Sequence, residues 1–289
     1  MYDGYGIRHR ALRRARPHAG HCVASRGVNS TFMPSTSSAF DAHAPAEGFR
    51  LKGADKLAYV SDMFDRVAPT YDVLNYFISL GQTTVWRLLA LSFLTRYLTR
   101  HGRVLDVGCG TGWVSWYFKR RYRKLHLDVE GMDCSPVMLE EARRIVPGAT
   151  FTHGDVCALT YEDGTFDAVT TVYTLRNFPD LEQGLREMYR VTSPGGVVVI
   201  LDAFPAQNVI VQAVLYVWLE LVMPLVARCF TKDEKAYRYL SASIRSTVPP
   251  GRVAGMLRDC GAARVDVTKY SFGMAARIMA HKPGVAAPA

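Results

Sequence analysis

The sequence predicts an α/β domain built on a parallel sheet, and three observations carry that expectation. Between residues 103 and 202, short apolar runs alternate with amphipathic stretches, and strands alternating with helices imply βαβ units. The first run passes directly into glycines, LDVGCGTG (105–112), where bare backbone can approach a ligand at a helix N-terminus. Acidic residues then recur at successive strand ends, Asp133 and Asp155, and ligands of such sheets sit at the carboxyl edge.

The elements follow in order. Residues 1–50 mix Arg, His, Ser, Ala, Gly and Pro without apolar periodicity and read as a disordered leader or targeting segment. An Arg-rich, acid-poor stretch suits an organelle transit peptide; an unstructured bacterial extension, or an upstream start with Met33 the true one, fits equally. From Lys52 to Thr99 the pattern is helical, with Val60, Met63, Phe64 and Val67, then Val85, Leu88, Leu89, Leu91, Phe93 and Leu94 near 3.6-residue spacing. Strands are expected at 103–107, 129–133, 149–155, 167–175 and 196–202, with helices at 112–122, 135–146 and 181–192. The stretch 209–227 is apolar nearly all round and approaches the length of a bilayer span. Its Glu220 and Pro224 favour a buried or interfacial helix instead. Two strands, 263–270 and 275–282, close the chain around a Ser-Phe-Gly turn.

Composition narrows the class. At 289 residues and 49% hydrophobic content the chain can hold one large α/β domain with appendages. The formal charge is +9; seven Arg against Asp3, Asp41 and Glu47 put +4 in the first 50 residues, leaving +5 on the rest. That modest excess suits an anionic membrane surface, and without an RNA-binding signature it argues against nucleic acid. The six cysteines stand apart, with no C-x-x-C pair and no His at ligand spacing, so they read as free thiols in a reducing compartment, not a zinc site. The N-terminus has no continuous apolar stretch of the kind a secretory signal needs.

The glycine loop is D-x-G-x-G-x-G, with Asp106 ahead of Gly108, Gly110, Thr111 and Gly112, and differs from the G-x-G-x-x-G of dinucleotide enzymes. An acidic residue beside the loop suits a cationic amino-acid group better than a pyrophosphate, which points to S-adenosylmethionine. Asp133 is placed to accept both hydroxyls of a ribose. In HGDV (153–156), Asp155 is placed to accept the adenine amino group, with the Val156 backbone beside it. Each carboxylate has a plainer reading, as a loop cap, a helix cap before Ser135-Pro136 or a turn. It is their placement at one sheet edge that favours a ligand. On the same edge, TTVYTLRNFPD (170–180) ends a buried run on Arg176 and Asn177, which is either a snorkelling Arg with an Asn in the turn or a site.

These residues carry a resemblance to the class I S-adenosylmethionine-dependent methyltransferases, specifically the C-methyltransferases of ubiquinone and menaquinone biosynthesis, over about residues 55–282. The family's Y-D-x-M/L-N-x-x-I-S…W pattern is matched by Tyr71, Asp72, Asn75, Ser79 and Trp86. Its LRN tripeptide is matched by Leu175-Arg176-Asn177, its RV-x-x-PGG turn by Arg190, Val191, Pro194, Gly195 and Gly196, and a further segment by YRYLSASI (237–244). The resemblance implies a Rossmann-like seven-stranded sheet with helices on both faces, an N-terminal helical lid and an apolar helical insertion, all within a methyltransferase domain over 51–289. It implies methylation of a polyprenylated quinol, of demethylmenaquinol or 2-methoxy-6-polyprenyl-1,4-benzoquinol type. Arg176 would stabilise a phenolate, Asn177 would orient the ring or a water, and Tyr71 and Asp72 would act from the lid.

Departures fall on the acceptor side. Thr83 stands where the family has His, Ser193 where it has Lys, and Asp202-Ala203-Phe204 where it has E-x-S; a small residue is replaced near Val172 to Thr174. They keep open a methyltransferase of another small-molecule acceptor, and a non-catalytic partner in a quinone-synthesis assembly. His126 and His153 are alternative bases, each more simply structural, and the basic run KRRYRK (119–124) reads as the favourable end of a helix. The expected partners are the quinol, a membrane surface and a second copy of the chain, with the helix 209–227 lining a prenyl channel, facing the membrane or forming the dimer contact. The expected location is the cytoplasmic face of a bacterial membrane, or the matrix side of the mitochondrial inner membrane if the leader is a transit peptide.

Overall fold

The structure, a computed structural model, describes residues 51–206, 208–218 and 234–284. The leader 1–50 and residues 219–227 of the apolar stretch lie outside the described residues. Among the described residues, three α-helices precede the sheet, α1 (Gly53–Val67), α2 (Tyr71–Ile78) and α3 (Gln82–Leu91). Pro69, in the single 3-10 turn Ala68–Thr70, separates the first two, since a residue without an amide interrupts the helical ladder. Gly81, at φ 76°, separates the second from the third.

Seven strands form one sheet in the order β3-β2-β1-β4-β5-β7-β6. They are β1 (Arg103–Val107), β2 (Asp128–Asp133), β3 (Thr150–His153), β4 (Phe166–Val172), β5 (Thr192–Ala203), β6 (Arg264–Tyr270) and β7 (Ala275–His281). The first five are parallel; β7 runs antiparallel to β5, and β6 to β7. The sheet is therefore mixed, because β6 and β7 are joined by only the short turn Ser271–Gly273 and a parallel pair needs a crossover of a dozen or more residues. Strand alternation divides the core. Leu105, Val107 and Ile200 pack with Leu185, Met188 and Leu257 from α6 (Leu181–Val191) and α9 (Pro250–Asp259), while Val104, Val129 and Leu201 pack with Leu91 and Phe118 from α3 and α4 (Trp113–Arg121). Each fully buried aliphatic or Phe side chain contributes about 1.5–3 kcal/mol.

Several elements differ from the sequence reading, β5 among them, which starts at Thr192 and not at 196. β3 stops at His153, which leaves Asp155 in the following loop. β4 stops at Val172 because Tyr173 turns into the left-handed region at φ 63°, and Leu175–Asn177 then form a single 3-10 turn. Helix α9 was not expected at all: two glycines break its apolar pattern, yet Val253, Ala254 and Leu257 lie on one buried face behind a Pro at the helix start. Helices α7 (Val209–Val217) and α8 (Glu234–Arg245) lie between β5 and α9. Among the described residues, no helix is long and apolar enough to cross a membrane. The basic run ends α4 as expected, with Lys119, Arg120 and Arg121 in its last turn.

Candidate active site

At the carboxyl ends of β1, β2 and β4, where strand order reverses on either side of β1, a cavity opens to solvent. Its wall includes Gly108, Gly110 and Thr111 of the glycine loop, Asp106, Asp133, Gly154 and Val156, with Leu57, Val60, Phe64, Tyr71 and Asp72 supplied by α1 and α2. Gly108 has φ 67°, and a Cβ there would lie 2.6 Å from Thr174 Cγ2. At Gly110, with φ 53°, a Cβ would meet nothing within 4 Å, so that backbone faces open cavity. Asp133 Oδ2 accepts the Gly110 amide at 2.7 Å and its Oδ1 the Ser135 amide at 2.9 Å. Asp106 accepts the Ser115 hydroxyl at 3.0 Å and the Thr170 hydroxyl at 3.3 Å. Burial pushes the Asp106 carboxyl up to about 7 against those two hydrogen bonds.

Two expected ligand contacts hold the site from outside the cavity wall. Gly112 starts α4 at φ 84°, and a Cβ there would press on Ala142 and Val146 at 3.1–3.2 Å, so it serves packing against α5 (Pro136–Ile145). Asp155 is not in the wall; its Oδ1 accepts the Cys157 amide at 2.9 Å, a side-chain turn that presents Gly154 and Val156 instead. His126 and His153 line neither this cavity nor the one described below. His126 precedes β2 at the opposite sheet edge, and the His153 Nε2 lies 3.0 Å from the Cys134 carbonyl.

The lid is bonded to both sides of the site. Thr111 Oγ1 donates to Asp72 Oδ2 at 2.7 Å, joining α2 to the glycine loop. From α1, Ser61 donates to the Cys134 carbonyl at 2.7 Å, and Asp65 accepts the Ser135 hydroxyl at 2.5 Å. Lys56 Nζ donates to the Phe178 and Arg176 carbonyls at 2.7 and 3.2 Å. Its half-buried ammonium is lowered by desolvation.

A second, smaller cavity adjoins the first. Phe64, Tyr71 and Asn177 line both; Met63, Val67 and Leu240 give the second an apolar wall, and Asn75, Arg176, Tyr239 and Ser243 give it polar groups. Arg176 does not snorkel: its side chain is 8% exposed, and Nη1 is 2.5 Å from Oδ1 of Asp202, which is fully buried. Burial opposes the Arg176 charge, but Asp202, Tyr71 and Tyr239 outweigh it and hold the guanidinium protonated. Tyr239 donates to Asn177 Oδ1 at 3.1 Å, which turns the carboxamide so that Nδ2, buried, has no partner. Burial raises the Tyr71 phenol, with Arg87 and Arg176 opposing.

In the sequence Tyr239 stands only within a segment that matches the family and Asp202 only as a departure from its pattern. Arg87 belongs to neither, although a cation directly after Trp86 in an apolar helical stripe is a usable signal.

The sequence model of the ubiE/COQ5 methyltransferase family matches residues 52–282. The demethylmenaquinone methyltransferase of Deinococcus radiodurans is 36% identical over 225 residues, 76% of this chain and 91% of that protein. The enzyme of the same name from Thermus thermophilus is 34% identical, over 76% of this chain and all of that one. Among solved structures, a Thermotoga maritima S-adenosylmethionine-dependent methyltransferase, described as a possible histamine N-methyltransferase, superposes with a TM-score of 0.52. It is 20% identical and covers 76% of this chain and 99% of its own, a likeness of Rossmann-like fold alone. The glycine cradle, the acidic Asp133 and the apolar wall at Met132 and Val156 fit S-adenosylmethionine. This chain is an S-adenosylmethionine-dependent methyltransferase and belongs to the ubiE/COQ5 methyltransferase family.

Proposed function

We propose that the protein methylates a ring carbon of a polyprenylated quinol in menaquinone or ubiquinone biosynthesis, with the ring in the second cavity. The observation that carries this reading is the shared wall: Phe64, Tyr71 and Asn177 border both cavities, so donor and acceptor meet without crossing solvent. S-adenosylmethionine supplies an electrophilic methyl group; the protein's contribution is alignment and exclusion of water.

Ring carbon becomes nucleophilic when a neighbouring hydroxyl loses its proton, and the second cavity offers groups suited to that oxygen. Asn177 Nδ2 is a buried donor with nothing else to bond, held in orientation by Tyr239. Arg176 brings positive charge of the sign a phenolate needs. Asp202 touches Arg176 and its Oδ2 has no partner, and burial raises its carboxyl against the pull of Arg176; because it lines neither cavity, it can take the ring hydroxyl's proton only by relay through the Arg176 guanidinium. Asp72, bonded to Thr111, acts by fastening the lid, and Tyr71 borders both cavities, where donor and acceptor would meet.

The prenyl tail places the protein against a membrane. Exposed Val73, Tyr76, Phe77 and Leu80 on and just beyond α2, and Val209, Ile210, Tyr216 and Val217 on α7, form the surface we assign to lipid. Trp218 Nε1 ties the two helices together by donating to the Ile78 carbonyl at 2.8 Å. The function is tested by the quinone profile of a strain lacking this gene: demethylated quinone should accumulate, and an unchanged profile overturns the reading.

A further inference from the structure

Arg87, on α3, projects into the wall of the first cavity without an anionic or hydrogen-bonding partner among the described residues. Its Nε is buried and unpartnered. The guanidinium lies 5.0 Å from the centre of the Trp113 ring and 5.3 Å from that of the Tyr173 ring. Trp113 opens α4 directly after the glycine loop, and Tyr173 follows β4 in a left-handed turn. The cation is thus clamped where the loop and the end of β4 meet, across β1 from Asp133 at the end of β2. Two aromatic faces orient a guanidinium but do not accept its hydrogen bonds; Arg87 is part-buried, and its buried Nε–H is left without an acceptor, which is costly. An arrangement of this kind is completed by a ligand anion.

The first cavity has acids for the rest of its ligand. Asp133 serves the ribose end, and Asp106 and Asp72 stand in the wall with Arg87, so the wall is dipolar at one end. A zwitterionic amino-acid group matches it, its ammonium toward the carboxylates and its carboxylate toward the guanidinium. We infer that Arg87 binds the α-carboxylate of S-adenosylmethionine and fixes the amino-acid end of the donor. The inference rests on the methyltransferase reading. A bidentate guanidinium–carboxylate contact is the strong class of charged hydrogen bond, which corresponds to about ten- to hundredfold in affinity.

Calorimetry with S-adenosylmethionine and with its decarboxylated analogue, which keeps the amine and sulfonium, isolates this contact. The wild-type protein should prefer S-adenosylmethionine about ten- to hundredfold. Arg87→Met should lose that preference while binding the decarboxylated analogue within about threefold of wild type, and Arg87→Lys should recover part of it. Equal binding of both compounds by the wild type, or equal weakening of both by Arg87→Met, overturns the assignment to the carboxylate and leaves the methyltransferase reading standing. A wild-type protein that binds neither compound overturns both.

Discussion

Asp202→Asn is the perturbation that separates the structural work of the Arg176–Asp202 pair from its chemistry. Both side chains are buried, 8% and 0% exposed, at 2.5 Å. The substitution is nearly isosteric, and the carboxamide oxygen can still accept the Ala203 amide that Oδ1 now accepts at 2.7 Å. What it removes is the counter-charge, and leaving one member of a buried pair uncompensated costs about 3–5 kcal/mol. For a domain of this size 1 kcal/mol moves Tm by about 2–4 °C, so the variant should melt roughly 6–20 °C lower. Adding Arg176→Met removes the orphaned cation as well, and exchanging a whole buried pair for neutral groups is often close to neutral. The double variant should therefore recover most of the loss. Urea titration with unchanged slope gives the free energies, and the double-mutant cycle should return about 2–4 kcal/mol of coupling. Additive single effects, or a loss below about 1 kcal/mol for Asp202→Asn, would refute the argument. A recovered fold with no quinol methylation in the double variant assigns the pair's remaining role to the acceptor.

Four further outcomes are expected. The Asp106 carboxyl, pushed up to about 7 by burial, binds a proton in the folded protein between about pH 4 and 7 when the unfolded chain has lost it. Stability should fall as pH rises through that window, and affinity for the cationic donor should rise; Asp106→Asn should flatten both profiles, and unchanged profiles would contradict the assignment. Breaking the Thr111–Asp72 bond with Thr111→Val removes a hydrogen bond to a charged group, worth about 1.5–3 kcal/mol. Amide exchange of residues 57–78 should accelerate at least about tenfold, and exchange at the wild-type rate would show that the lid is held elsewhere. Gly108→Ala should destabilise by more than about 2 kcal/mol, since its Cβ would sit 2.6 Å from Thr174, whereas Gly110→Ala, with nothing within 4 Å, should cost about 1–2 kcal/mol yet weaken donor binding; melting and calorimetry together would expose a reversed order. Co-sedimentation with vesicles containing anionic lipid should retain the wild-type protein and release a Phe77→Glu/Leu80→Glu variant, and equal retention would refute the lipid-facing assignment.

The sheet was legible because its signal is local and periodic: apolar runs, glycines between β1 and α4, and acids after the strands each reflect a short-range constraint. Arg176 and Asn177 were legible as an anomaly, two polar residues ending a buried run. Asp202 was not, because its meaning lies in a partner 26 residues away that only strand pairing brings near. Tyr239 is separated from Asn177 by 62 residues, and no spacing rule links a residue on α8 to a turn after β4. Asp155 and Gly112 stand outside the cavity wall. Their neighbours in sequence, Val156 and Thr111, line the cavity, and a spacing argument cannot resolve which residue of a tight turn faces the ligand. The left-handed Tyr173 was invisible as well, since nothing local marks a bulky aromatic for φ above zero.

The departures from the family pattern are what kept a different acceptor in view, and their positions decide how much weight they carry. Ser193 lies at the start of β5, where its hydroxyl donates to Asp167 at 3.3 Å, on the sheet edge opposite the cavities; no acceptor reaches it. Phe204 is fully buried in the core behind β5. Thr83 shares a hydrogen bond with the Ser79 hydroxyl at 2.9 Å, and its carbonyl accepts the Tyr173 hydroxyl at 3.2 Å, so it braces the ring that clamps Arg87 and lies outside both cavity walls. Asp202 reaches the second cavity, but through Arg176, and it keeps the carboxylate there while shortening the side chain by one methylene. A change of acceptor would have to be written in Met63, Val67, Asn75, Tyr239, Leu240 and Ser243, the residues that line the second cavity alone together with Arg176. Thr83, Ser193 and Phe204 therefore sit in the frame around the two cavities, whereas Val172 and Thr174 line the first; substitutions at Asn75 and Ser243, not at Thr83 or Ser193, are the ones that should change which quinol is methylated.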